Sequence, residues 1–128
     1  MSKKILHTDA APAAVGKYSQ AVSANGFVFT AGQIGLDPAT GDLVEGIEAQ
    51  TERVLDNLAA VLAAADLGFG DVVKTTILLA DMGDFKQVNE IYAKRFDADP
   101  PARVAYQAAA LPLGSLVEIE MIAALPLD

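Results

Sequence analysis

The stretch 100–121, PPARVAYQAAALPLGSLVEIEM, decides how the rest of the chain is read. Pro100-Pro101 ends any helix before it, because proline supplies no N–H and restricts the residue ahead of it. Beyond it the residues alternate with the period of a β-strand. Arg103, Ala105, Gln107 and Ala109 share one face, and Val104, Tyr106, Ala108 and Ala110 share the other. After the turn-forming segment 111–115, Glu118, Glu120 and Ile122 oppose Val117, Ile119 and Met121. The pattern predicts two strands joined by a turn, with an arginine and two glutamates facing each other across a hairpin. Charge on a strand whose other face is apolar marks a solvated face, an ion pair or a site.

Composition narrows the choice. The chain has 128 residues, the size of one domain covering 1–128, and 52% of them are hydrophobic. A small domain has limited interior for so much apolar surface, which predicts a homo-oligomer. Seventeen acids against nine bases give a formal charge of −8, a poor match to nucleic acid or to an anionic membrane. The sequence has no cysteine and a single histidine, His7, so thiol nucleophiles, Cys-based zinc sites and paired-histidine metal sites are excluded. No apolar run reaches membrane-spanning length, and no signal-peptide core follows Lys3-Lys4, so a cytoplasmic protein is expected.

Outward from the opening stretch, the elements follow from local signals. Residues 3–8 read as a strand. Asn25-Gly26 between the apolar runs 19–24 and 27–33 is a hairpin signal, since both turn positions need positive φ. Gly32 lies within the second run, where a glycine marks a bulge or a close approach to the backbone. Positions 47, 51, 54, 55, 58, 61, 62 and 65 carry helical apolar spacing, with Glu48, Glu52, Arg53, Asp56 and Asn57 assigned to the solvated side. Residues 72–80 read as a buried strand. Asp84 is placed as the cap of a second helix, with Gln87 completing a capping box and Phe85, Val88, Tyr92 and Phe96 forming its buried stripe. Asn89 lies at the edge of that stripe, where its amide needs a hydrogen-bond partner. Neither a phosphate-binding nor a dinucleotide-binding glycine motif is present. The order of elements predicts an α+β domain with a mixed sheet and two helices on one face. Its other face is left apolar and free for self-association.

Within this frame Arg103 has two readings: a salt bridge to Glu118 or Glu120, or an anchor for an anionic ligand. Glu118 and Glu120 repel one another, so one of them is expected to titrate high. Tyr18, after Gly16, is a packing residue or a cleft residue.

The segments PARVAYQAAALP and LVEIEM resemble the signature of the RidA/YjgF family of reactive-intermediate deaminases. APAAVGKYSQAV, FVFTAGQIGLDPATG, DVVKTTILLADMGDF and VNEIYAKRF fit the same family in order and spacing. The resemblance implies a chorismate-mutase-like, ferredoxin-like α+β fold, assembled as a homotrimer around a central barrel with ligand clefts between subunits. It implies cofactor-free hydrolysis of 2-imino and enamine acids, such as 2-aminoacrylate and 2-iminobutanoate, to 2-oxo acids and ammonia. By position, Arg103 becomes the carboxylate anchor, Glu118 the water-positioning acid and Glu120 a supporting acid. Tyr18, Gly32, Asn89 and Ala105 become substrate-binding positions. Three departures stand out: Ala31 where many relatives have serine, Ala105 where many have cysteine, and Lys17 where many have proline. The competing readings are a ligand-binding or chaperone-like trimer and a ribonuclease, the second opposed by the acidic charge.

Overall fold

The computed structural model describes residues 2–127. Six strands, β1 (Lys4–Leu6), β2 (Ala21–Ala24), β3 (Phe27–Thr30), β4 (Val72–Leu79), β5 (Ala102–Gln107) and β6 (Val117–Ala124), form one sheet in the order β1-β2-β3-β6-β4-β5. Two helices, α1 (Ile47–Ala63) and α2 (Phe85–Ala93), make the long connections from β3 to β4 and from β4 to β5. The β4–β5 pairing is parallel and the others antiparallel, so the sheet is mixed. Asn25 and Gly26 take φ of 53° and 86°, the left-handed pair that a two-residue hairpin requires.

Both helices bury their apolar stripes on the same sheet face. Val54, Leu55, Leu58, Val61 and Leu62 of α1 and Val88, Ile91 and Tyr92 of α2 share a core with Val28, Ile77, Leu79, Val117, Ile119 and Met121. The opposite face has no helix over it. Ile5, Phe27, Phe29, Val104 and Tyr106 are exposed there, each between 41% and 52%.

Four sequence expectations are corrected. The two strands of 100–121 do not form a hairpin: β4 lies between them, antiparallel to β6 and parallel to β5. The more apolar β4 and β6 take interior positions, and β5, with Arg103 and Gln107, takes the edge, where charge costs least. Residues 72–80 are not buried throughout: Val73 and Lys74 are exposed near a register shift, and burial then alternates along β4. Asn57 is fully buried rather than solvated, donating through Nδ2 to Ile34 O (3.2 Å) and Leu36 O (3.0 Å). Asp84 makes no side-chain cap. Asp81 instead accepts from Gly83 N at 2.8 Å, capping a 3-10 turn that leads into α2.

Candidate functional site

Register decides which sequence-derived site residues share a space. Arg103 pairs with Thr75 and Ala105 with Ile77, and Thr75 and Ile77 are buried under the helices. Side chains alternate across a strand, so Arg103 and Ala105 also point to the helix face. Glu118 pairs with Leu78, one position out of phase with Ile77, and therefore points to the open face. The sheet thus carries two separate half-sites.

The first half-site is built on α2 and the β5 edge. Arg103 Nη1 donates to Asn89 Oδ1 at 2.7 Å. Its Cζ lies 5.3 Å from the Phe85 ring centroid and 5.1 Å from that of Tyr92, both within cation–π range. Phe85, Asn89 and Tyr92 follow one another at helical spacings of four and three, which places all three side chains along one stripe. A cleft of about 480 Å³ opens beside the guanidinium, lined by Asn89, Tyr92, Phe96, Asp97, Pro101 and Arg103 among others. Among the described residues no carboxylate lies within ion-pair distance of Arg103; the arginine ion pairs found join Arg95 to Glu52 and Asp56. The salt-bridge reading of Arg103 therefore fails. An arginine held by an amide and two rings, with the rest of its fork unspent, is suited to a planar anion.

The second half-site gathers Gly32, Glu118 and Tyr18. A methyl group placed on Gly32 would lie 3.0 Å from the Glu118 carboxyl carbon and closer still to Oε2, so the glycine makes room for the carboxylate. Reciprocal backbone bonds between Gln33 and Ile119, 2.9 and 3.1 Å, clamp the two segments together at this point. Burial, and then the charge of Glu120 on the same face, raise the Glu118 carboxyl above the ordinary carboxylate range. Tyr18 and Gly32 line a depression of about 320 Å³ with Pro12, Val15, Leu36 and Leu113. Among the described residues there is no cluster of three or more potential metal ligands.

The sequence-derived set is thus split: Arg103, Asn89 and Ala105 on one side, Glu118, Gly32 and Tyr18 on the other. Phe85 and Tyr92, read from sequence as core stripe alone, are additions to the first group. Their spacing about Asn89 was the available signal.

The family model described as Endoribonuclease L-PSP matches residues 8–125. The chain is 55% identical over 126 residues to the chloroplastic Reactive Intermediate Deaminase A of Arabidopsis thaliana, covering 98% of this chain and 67% of that protein. It is 53% identical over 122 residues to the 2-iminobutanoate/2-iminopropanoate deaminase of Mus musculus, covering 94% of this chain and 90% of that one. The structure of the Rid-family protein YyfA of Yersinia pestis superposes with a TM-score of 0.95 at 47% identity, covering 97% of this chain and 100% of that chain. A two-helix, mixed-sheet α+β fold is thus the scaffold that this chain and the Yersinia protein share. The chain belongs to the RidA/YjgF family, whose sequence model carries the L-PSP description.

Proposed function

We propose that this chain, as one domain over 1–128, hydrolyses reactive 2-imino and enamine acids such as 2-iminobutanoate and 2-aminoacrylate to 2-oxo acids and ammonia. The observation that carries this reading is the Arg103 guanidinium, bound by Asn89 and two aromatic rings, free of any carboxylate among the described residues and open to a cleft. The names of the Arabidopsis and mouse relatives support the same substrate class.

Arg103 holds the substrate carboxylate, with backbone near Gly32 and Ala105 completing the pocket and Tyr18 forming a wall. Glu118 accepts a proton from water as the oxygen attacks C2 of the imine. The same carboxyl then returns a proton to the amino group of the tetrahedral adduct. The C–N bond then breaks and ammonia leaves while the C2 hydroxyl gives its proton to the freed carboxylate, which forms the C2=O bond of the 2-oxo acid. Ammonia takes that proton up as ammonium, which restores the carboxylate for an imine that entered protonated. Water balances the reaction, so no cofactor enters it. Imines already hydrolyse in water, and one positioned acid/base group contributes about 10²–10⁴-fold.

Arg103 and Glu118 point to opposite faces of the sheet, so a working site draws them from two copies of the chain. The uncovered apolar face, with Phe27, Phe29, Val104 and Tyr106, supports that association. A chorismate-mutase-like homotrimer, its sheets forming a central barrel and its clefts lying between subunits, buries this face and unites the half-sites. The formal charge of −8 sets the acidic surface against ribonuclease activity, which must attract phosphate. No helix among the described residues is long and apolar enough to cross a membrane, in keeping with action on a small dissolved substrate.

The test generates 2-iminobutanoate in situ with a pyridoxal-phosphate dehydratase and follows 2-oxobutanoate release. The protein is expected to accelerate release, and Arg103→Ala to abolish the acceleration. Equal rates with and without wild-type protein would overturn the activity; full rate in Arg103→Ala would overturn the anchor.

A further inference from the structure

Arg103 stands at the end of a row of aromatic rings. The Phe69 and Phe96 centroids are 5.3 Å apart and those of Phe96 and Tyr92 4.6 Å apart, and the Tyr92 ring abuts the guanidinium. Phe85 approaches the same guanidinium from further back along α2. Seven residues of helix, about 10 Å of rise, separate Phe85 from Tyr92. The guanidinium therefore sits between the two rings, above Asn89.

The Tyr92 ring is fixed in turn. Its hydroxyl lies 2.8 Å from Thr75 Oγ1, both groups being buried. Thr75 is the register partner of Arg103 on the neighbouring strand. The hydrogen bond therefore ties the ring to the strand next to the one that carries the arginine. Burial raises the phenol above its ordinary range, so it stays neutral and hydrogen-bonded at neutral pH.

We propose that Tyr92, locked by Thr75, is a positioning residue that fixes the Arg103 guanidinium so that the N–H groups not taken by Asn89 face the cleft as a ready fork for a carboxylate. An exposed arginine on a flexible stem must lose rotamer freedom each time it grips a ligand. A stem already held by a ring, an amide and a second ring has lost it beforehand. The role concerns binding, so its loss belongs in KM and in the Kd of a product-like acid, not in kcat.

This inference rests on Arg103 being the carboxylate anchor. Two readouts separate its failure from failure of the deaminase reading: steady-state kinetics with 2-iminobutanoate, and direct titration with 2-oxobutanoate. Tyr92→Leu is expected to raise KM and the 2-oxobutanoate Kd about tenfold, the scale of a partly desolvated cation–π contact, with kcat within about threefold of wild type. Tyr92→Phe, which keeps the ring and loses the Thr75 bond, is expected to raise both constants only about two- to threefold. Thr75→Val should match it, and the double variant should show no further loss, because one bond is removed twice. In an Arg103→Ala background, Tyr92→Leu should add nothing. Unchanged KM and Kd in folded Tyr92→Leu, or a fall in kcat alone, would overturn the proposal. If Tyr92→Leu does not fold, unchanged constants in both Tyr92→Phe and Thr75→Val would overturn it equally. Wild-type protein that binds 2-oxobutanoate without turning over the imine would defeat the deaminase reading, leaving Kd to decide the role of Tyr92. Wild-type protein that neither binds nor reacts would defeat both.

Discussion

Arg103 and Glu118 face opposite sides of one sheet, with strand β4 between the strands that carry them. Two strand spacings separate them across the sheet, roughly 10 Å, and three residues of rise separate them along it, roughly another 10 Å. A water activated by one cannot reach a substrate held by the other within a single chain.

Subunit mixing tests this relationship directly. Arg103→Ala and Glu118→Gln are each expected to be inactive as pure proteins. When the two are unfolded together and refolded, any site formed by an intact Arg103 from one copy and an intact Glu118 from another is complete. Random assembly of equal amounts makes about a quarter of the sites wild type. Recovery of about that fraction of activity, measured as 2-oxobutanoate release, is the expected result. Mixing without recovery would place both groups in one chain's site.

The acid limb of the rate should belong to Glu118. Activity requires the carboxylate form, so kcat/KM is expected to fall as pH drops through a value above the ordinary carboxylate range. Glu120 contributes to that elevation through like-charge repulsion, so Glu120→Gln should move the limb to lower pH while leaving the plateau rate near wild type. Stability runs the other way. Folding raises the Glu118 pKa, so the folded state holds more protons than the unfolded chain between the ordinary value and the raised one. This contribution to stability is fully present below that window and is lost as pH rises through it. Glu118→Gln is therefore expected to lose roughly 10²-fold or more in rate while raising Tm at pH 7. A Tm lowered by this substitution would contradict the stated cause of the shift.

Local periodicity made much of the fold legible. The Asn25-Gly26 turn, both helical stripes and the strand alternation of 102–107 and 117–124 are short-range patterns, and each corresponds to an element of the structure. Partner choice was not legible. A hairpin of β5 with β6 and the observed insertion of β4 between them use the same alternation, so the sequence cannot say which strand takes the edge. The relative facing of Arg103 and Glu118 depends on that choice. Asn57 escaped for a related reason: a polar residue in a helix reads as solvated unless the distant carbonyls that hold it, Ile34 O and Leu36 O, are known. Asp84 read as the helix cap because the 3-10 turn Met82–Asp84, which precedes α2 and is capped by Asp81, has no periodic signature of its own.

Asn57→Ala is expected to destabilise the fold without entering the chemistry. The side chain ties the turn after Gly32 to α1 and accepts from Arg53 Nε at 3.0 Å. Its removal takes one of two donors from the buried Ile34 O, which keeps Leu36 N at 2.8 Å, and the side-chain donor from the partly buried Leu36 O, at a cost of about 1–2 kcal/mol. Chemical denaturation should show a lower midpoint with an unchanged m-value. Activity per folded molecule should remain within a few-fold of wild type.

Two glycines three residues apart are expected to fail in different ways when each becomes alanine. Neither has the positive φ that would strain a side chain, so the added methyl acts only through what it meets. At Gly35 it would lie 2.9 Å from the Gln50 Cα, the backbone of α1, which cannot yield without moving the helix. At Gly32 it meets the Glu118 carboxyl, 3.0 Å from its Cδ and 3.2 Å from its Cγ, and a side chain can turn away. Gly35→Ala is therefore expected to cost about 1–3 kcal/mol in stability, the range of an overpacked site. Gly32→Ala should fold with a Tm near wild type but turn the carboxylate out of line with the bound imine, and a displacement of about 1 Å is worth about 10²-fold in rate. Thermal melts and 2-oxobutanoate release, measured on the two variants side by side, separate the outcomes. Full activity in folded Gly32→Ala would mean that the position of Glu118 does not matter to the reaction.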